Sequence, residues 1–235
     1  MEIKLITSAL KNRSDPKRAE NLQRYFKAGP GEYAEGDIFV GLTVPEIRKV
    51  AKEYHEIDLA NAEKLLHSGI HEERMTALFI LVDKFKKNEE SEREKIFSLY
   101  LKNTGYINNW DLVDLTAPNI VGVFLEDKDK SILCKMAESK SLWDRRIAIM
   151  ATFTFIRHNK YDDALKVSKM LLADKEDLIH KAVGWMLREI GKRDIAIEEK
   201  FLKAHYKLMP RTMLRYAIEK FPELKRQAYL KGRIS

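Results

Sequence analysis

The chain has 235 residues, 45% of them hydrophobic and 34% charged, enough for one domain with a sizeable core. Its longest apolar run, Ala77 to Val82, is far too short to cross a bilayer. A formal charge of +7 and a pI near 9.2 favour a polyanionic partner, nucleic acid before an anionic membrane, with simple solubility as the competing explanation.

The opening MEIKLITSALKNR mixes acid and base into its apolar positions, unlike a targeting segment. Asp15 before Pro16 marks a helix start. Residues 28–41, AGPGEYAEGDIFVG, are the one irregular stretch; the spacing of a phosphate-cradling loop is absent, so a surface turn or lid is expected. In TVPE, Thr43 and Glu46 suit a capping box with Pro45 inside the first turn. Beyond it, ERMTALFILVDKF, SEREKIFSLYL, RRIAIMATFTFI, DALKVSKMLLA, DLIHKAVGWMLREI and EEKFLKAHYKL return apolar residues at three and four, as one-sided helices require. Ser141 heads the third of these, and Gly69, Gly105 and Gly191 punctuate ends. Cys134, alone in the chain, cannot build an intrachain disulfide framework; it reads as a buried small hydrophobe in a reducing, cytoplasmic setting.

Four helices share a register with anchors at Arg74, Arg146, Lys181 and Arg211, and the midpoint of the first interval is Trp110. A helix-pair unit of about 35 residues accounts for this spacing. One turn further along the same face lie Leu78, Asp114, Met150, Trp185 and Arg215. The expected fold is therefore all-α: a single domain over residues 1–235, a helical solenoid of antiparallel helix pairs with a concave basic groove. Basic residues would flank Trp110, Asp114 and Trp185 there.

Trp110 and Asp114 are four apart in NNWDLVDLTAP and share a helix face. Asp111 lies two residues after the Asn109 cap position and suits the helix N-terminus. Asp114 lies too far along to cap; a salt bridge to Arg146 or Lys181 competes with a chemical role, and each tryptophan taken singly suits a core anchor. His67 and His71 are separated by a helix-breaking Ser-Gly pair, and no HExxH, CxxC or GxSxG occurs, so neither metal nor cofactor is called for. A carboxylate in a basic, aromatic groove could stabilise the cationic sugar left when an alkylated purine departs, and could orient the attacking water.

NNWDLVDLTAP, LWDRRIAIM, LIHKAVGWMLREIGKRD, YFKAGPGEY and FVGLTVPEIRKVAK together resemble the AlkD-type DNA alkylation repair family, from about Tyr25 to the last helices. The resemblance implies a right-handed superhelical solenoid of HEAT-like repeats and a metal-free glycosylase that releases cationic N3- and N7-alkylated purines without drawing the base into a pocket. It places the catalytic aspartate on Asp114, with the active-site tryptophans on Trp110 and Trp185. The arginine beside the lesion falls on Arg146, a DNA-facing tyrosine on Tyr25 and a phosphate contact on Arg188. The repeat register adds Lys181, Arg211 and Arg215 to the DNA-binding set. Two departures bear on substrate range: the longer 28–37 loop with Tyr33, and the divergent PRTMLRYAIEKF block.

Three functions follow from these residues. The first is a monofunctional glycosylase acting as a monomer on duplex DNA containing alkylated bases, with no membrane partner and an abasic site as product. The second is a non-catalytic HEAT-like module binding nucleic acid or protein through the same surface. The third is a scaffold with no DNA role.

Overall fold

Local signals placed along the sequence set where the helices begin. In the computed structural model, which describes residues 2–234, Asp15 accepts the Arg18 amide at 3.0 Å and caps the helix that starts at Pro16. Thr43 and Glu46 close a reciprocal capping box, and Ser141 caps the helix that starts at Leu142. Among the described residues there is no strand, only an isolated parallel bridge between Ile38 and Ile70. The chain divides between Thr116 and Ala117 into two compact units.

The first unit holds α1 (Glu2–Lys11), α2 (Pro16–Tyr25), α3 (Val44–Glu53), α4 (Leu59–Leu66), α5 (His71–Lys87), α6 (Glu90–Lys102) and most of α7 (Trp110–Ala117). Around α5 pack α1, α3, α4 and α6. The sequence suggested a one-sided helix here, but every residue from His71 to Val82 is buried. A helix apolar on all sides is a central one, and the ALFILV run gives α5 that place.

The second unit continues α7 through a π turn (Pro118–Gly122) into α8 (Val123–Leu125). Pro118 lacks the N–H that an α-ladder needs, and the helix widens where it sits. Then come α9 (Ser131–Ala137), α10 (Leu142–Arg157), α11 (Asp162–Met170), α12 (Asp177–Gly191), α13 (Ile195–His205), α14 (Arg211–Ala217) and α15 (Glu223–Leu230). Here α10 is the central helix, covered by α9, α11, α12 and the π turn, and it too is buried nearly all round. Helices α12 and α14 approach closely at Gly184, where a Cβ would lie 2.4 Å from the Met213 carbonyl oxygen.

Joined by short turns, α4 packs on α5, α9 on α10 and α11 on α12, the helix-pair unit expected from the spacing. Each anchor of the sequence register falls within the first five residues of its helix: Arg74 in α5, Trp110 in α7, Arg146 in α10, Lys181 in α12 and Arg211 in α14. Two local expectations are corrected. Cys134 is only half-buried. The 28–41 segment is not simply a surface turn: Ala34, Asp37, Phe39 and Gly41 are buried. The amides of Val40, Gly41 and Leu42 all donate to the buried Glu72 carboxylate, at 2.8–3.3 Å. Three backbone donors on one carboxylate tie the end of the segment to α5.

Candidate active site

In the first unit the start of α7 brings Trp110 and Asp114 onto one face, one helical turn apart. Asn109 precedes the helix, its side-chain oxygen 2.8 Å from the Trp110 amide. The Trp110 indole stacks on Phe26, with ring centroids 5.1 Å apart and 30° between planes. Tyr25, 64% exposed at the end of α2, stands at 71° to the indole with 6.0 Å between centroids. Indole Nε1 donates to the Tyr33 hydroxyl at 3.2 Å. Half-buried Asp114 is close enough to the fully buried Tyr100 for its charge to act there. Burial chiefly, with that charge, pushes the Tyr100 phenol up, against its hydrogen bond with Thr116 Oγ1 at 2.9 Å.

Behind the aromatic stack lies a buried charged network. His71, the first residue of α5, places Nε2 2.9 Å from Asp111 and Nδ1 3.3 Å from Asp37. Asp37 also accepts from Arg74 at 2.7 Å and from Asn109 at 3.3 Å. The imidazole stacks on Phe39 at 4.6 Å and faces Phe26 at 5.3 Å. Burial pulls the imidazole pKa down, but the Asp111 charge and the hydrogen bonds to Asp111 and Asp37 outweigh it and raise the pKa to about 9. Burial likewise works against the Asp37 carboxylate, yet the His71 hydrogen bond and the charges of Arg74 and His71 hold it below the usual carboxylate range.

Asp111 accepts the Leu112 amide at 2.8 Å, so it serves its helix start as expected and takes a second role with His71. Arg74 departs from the expectation of a groove residue. It is 3% exposed, bonded to Asp37 and the Ser68 carbonyl, because the end of the 28–42 segment brings a carboxylate down onto α5. His67 lies outside any helix shared with His71 and pairs with Asn103 at 2.6 Å. Among the described residues no three His, Cys, Asp or Glu side chains are grouped to hold a metal ion.

The second unit carries the remaining candidates. Trp185 on α12 is half-buried, 6.0 Å from the Phe153 ring, and its Nε1 donates to Glu189 at 3.2 Å. Burial would raise Glu189, but Lys192, Arg193 and Trp185 hold it low. Arg146 is 4% exposed and donates to the Leu178 carbonyl in the first turn of α12. Lys181 pairs with Asp177 at 2.8 Å, and Arg188 with Glu219. Arg211 donates to the Leu230 carbonyl at 2.6 Å, and it and Arg215 are exposed on α14. Thus Tyr25, Trp110 and Asp114 gather in one unit, and Arg146, Lys181, Trp185, Arg188, Arg211 and Arg215 in the other. Tyr33, Asp37 and His71 were not singled out as site residues from sequence. Only His71 and Arg74, three apart at a helix start, carried a local signal that they share a face.

The sequence matches the model of the DNA alkylation repair enzyme family over residues 6–221. Among solved structures, the chain resembles a predicted DNA alkylation repair enzyme from Enterococcus faecalis, with a TM-score of 0.69 and 18% identity, covering 89% of this chain and 97% of that one. It also resembles AlkD2 from Streptococcus mutans, with a TM-score of 0.56 and 19% identity, covering 88% and 98%. No curated protein sequence matches it.

Proposed function

Because the chain belongs to the DNA alkylation repair enzyme family, we propose that it is a DNA glycosylase that removes cationic N3- and N7-alkylated purines from duplex DNA. The observation that carries this reading is the pairing on α7: the Asp114 carboxylate one helical turn from an indole held by two other rings. Alkylation makes the purine a cationic leaving group, and breaking its bond to C1′ sends the electron pair to the base, which departs neutral. The positive charge then lies on the sugar, where Asp114 stabilises it. Water adds at C1′, gives up a proton to Asp114 or solvent, and leaves an abasic site.

In this reading Trp110 and Trp185 each offer an indole face to cationic character in the DNA, an interaction of about 0.5–2 kcal/mol. Tyr25 lies against the DNA, and Lys181, Arg188, Arg211 and Arg215 contact phosphates, while Arg146, bonded to the Leu178 carbonyl, holds the start of α12. The protein works as a monomer in the cytoplasm without metal or cofactor. No described helix is long and apolar enough to cross a membrane.

The test is release of free 7-methylguanine and 3-methyladenine from duplex DNA by wild type and Asp114→Asn. Wild-type release lost in the variant, by about 10²-fold or more, is expected. No release by either, with duplex still bound, would assign the protein to the binding modules instead. A pure phosphate binder should also hold duplex more tightly once Asp114 is neutralised.

A further inference from the structure

Trp110 is the aromatic centre of the first unit, and three side chains fix it. Phe26 lies along the ring, Tyr25 stands across it, and the Tyr33 hydroxyl receives its only polar atom at 3.2 Å. These contacts differ in what they can specify. A half-turn about χ2, a torsion that is roughly two-fold for aromatic side chains, keeps the plane of an indole but exchanges the sides on which its N–H and its six-membered ring lie. Stacking on Phe26 sets the plane of the indole, and the polar edge is set by what meets it. The hydrogen bond to Tyr33 distinguishes the two orientations.

The segment that carries Tyr33 is built to hold it. Glu32 accepts the Gly29 amide and Glu35 the Gly31 amide, both at 3.0 Å. The amide of Ala34, itself 1% exposed, donates to the Lys27 carbonyl. Three residues on, Asp37 is fixed by Arg74 and His71. Tyr33 thus sits between two anchored points and presents its hydroxyl to Trp110 from a position 77 residues away in sequence.

The choice of edge has an electrostatic meaning. An indole attracts cations at its face and repels them at the N–H edge, where the ring is positive. With Nε1 turned to the Tyr33 oxygen, that edge is directed into the 28–37 segment and its charge is met by an acceptor. We propose that Tyr33 is a positioning and specificity residue for cationic bases: it selects the indole orientation of Trp110 that keeps the N–H away from the departing purine. The proposal rests on the glycosylase reading above and adds to it a residue from the segment that departs from the family pattern.

The experiment uses the full chain labelled with 5-fluorotryptophan, as wild type and Tyr33→Phe, with Trp110→Phe assigning one of the three tryptophan resonances. Tyr33→Phe keeps the ring and removes only the acceptor. Three quantities are read: single-turnover release of 7-methylguanine, Kd for the same duplex, and the fluorine spectrum. Release is expected to fall about tenfold, the size of one hydrogen bond, with Kd within about twofold. The Trp110 resonance should split or broaden while those of Trp143 and Trp185 stay in place. Release at the wild-type rate, or one sharp and unmoved Trp110 resonance, overturns the proposal. If wild type releases no base, the glycosylase reading fails by itself. The spectrum of the DNA-bound variant then decides alone: two Trp110 environments uphold the orienting role and one refutes it.

Discussion

His71 and Asp111 are joined at 2.9 Å in a site where both are less than one-tenth exposed, so the first residue of α5 and the second of α7 are tied by a buried ion pair. With Asp37 on its other nitrogen, the imidazolium is shared between two carboxylates, and Arg74 completes the charge balance. A network of this kind is expensive to desolvate. Its effect is to connect the 28–42 segment, α5 and the helix that carries Trp110 and Asp114.

That arrangement makes stability depend on pH in a definite direction. The folded-state pKa of His71 is raised from 6.5 to about 9, so its contribution is fully present below about pH 6.5 and is lost as pH rises through about 9. The shift corresponds to about 3 kcal/mol. Urea unfolding of wild type at pH 6 and pH 9.5 should show a loss of that order. His71→Gln should cost about 3–5 kcal/mol at pH 6, because two buried carboxylates lose their shared cation, and should flatten the His71 part of the slope. Equal slopes in the two proteins would show that the imidazole is not charged in the fold.

A second titration acts in the other unit through the opposite kind of group. Glu198 is 1% exposed, its Oε1 has no hydrogen-bond partner, and burial, helped by the Glu199 charge, raises it to about 8. It faces α12 at Gly191, where any Cβ would fall 1.6 Å from its other oxygen. Because the unfolded chain releases this proton more readily, stability declines from about pH 4.5 to about 8 and levels above. Glu198→Gln should remove a decline of up to about 5 kcal/mol between those values. The check is the melting temperature of both proteins at pH 5 and pH 8, with the variant ahead only at the higher pH. A variant that gains nothing at pH 8 would mean the carboxyl is ionised without cost.

What could be read from the sequence follows from the range of each interaction. Asp15, Thr43 with Glu46, and Ser141 act on amides three residues away, so their caps were visible in any short window. The helix-pair register was visible because each anchor recurs near a helix start. Full burial of α5 and α10 was not, since periodicity distinguishes a one-sided helix from a polar one but says little about a central one. Arg74 and Arg146 counted toward a basic surface by their place in the repeat register, yet each is turned inward by an acceptor far away in sequence: Asp37 for one, the Leu178 carbonyl for the other. Tyr33 meets Trp110 across 77 residues and has no local signature at all.

The same difference separates two arginines that sequence reasoning placed together as phosphate contacts. Arg215 is exposed on α14, whereas Arg146 is 4% exposed and bonded to the backbone of α12. Removing Arg215 should leave stability within about 0.5 kcal/mol and lower the slope of log K against log salt for duplex binding by about 1. Arg146→Ala leaves the Leu178 carbonyl without this donor, and the expected loss is about 1–3 kcal/mol of stability. Chemical denaturation and duplex titrations over a range of salt, run on both variants, measure the two effects separately. A fully stable Arg146→Ala protein whose salt slope falls like that of Arg215→Ala would mean that the Arg146 guanidinium leaves Leu178 to meet a phosphate when DNA binds.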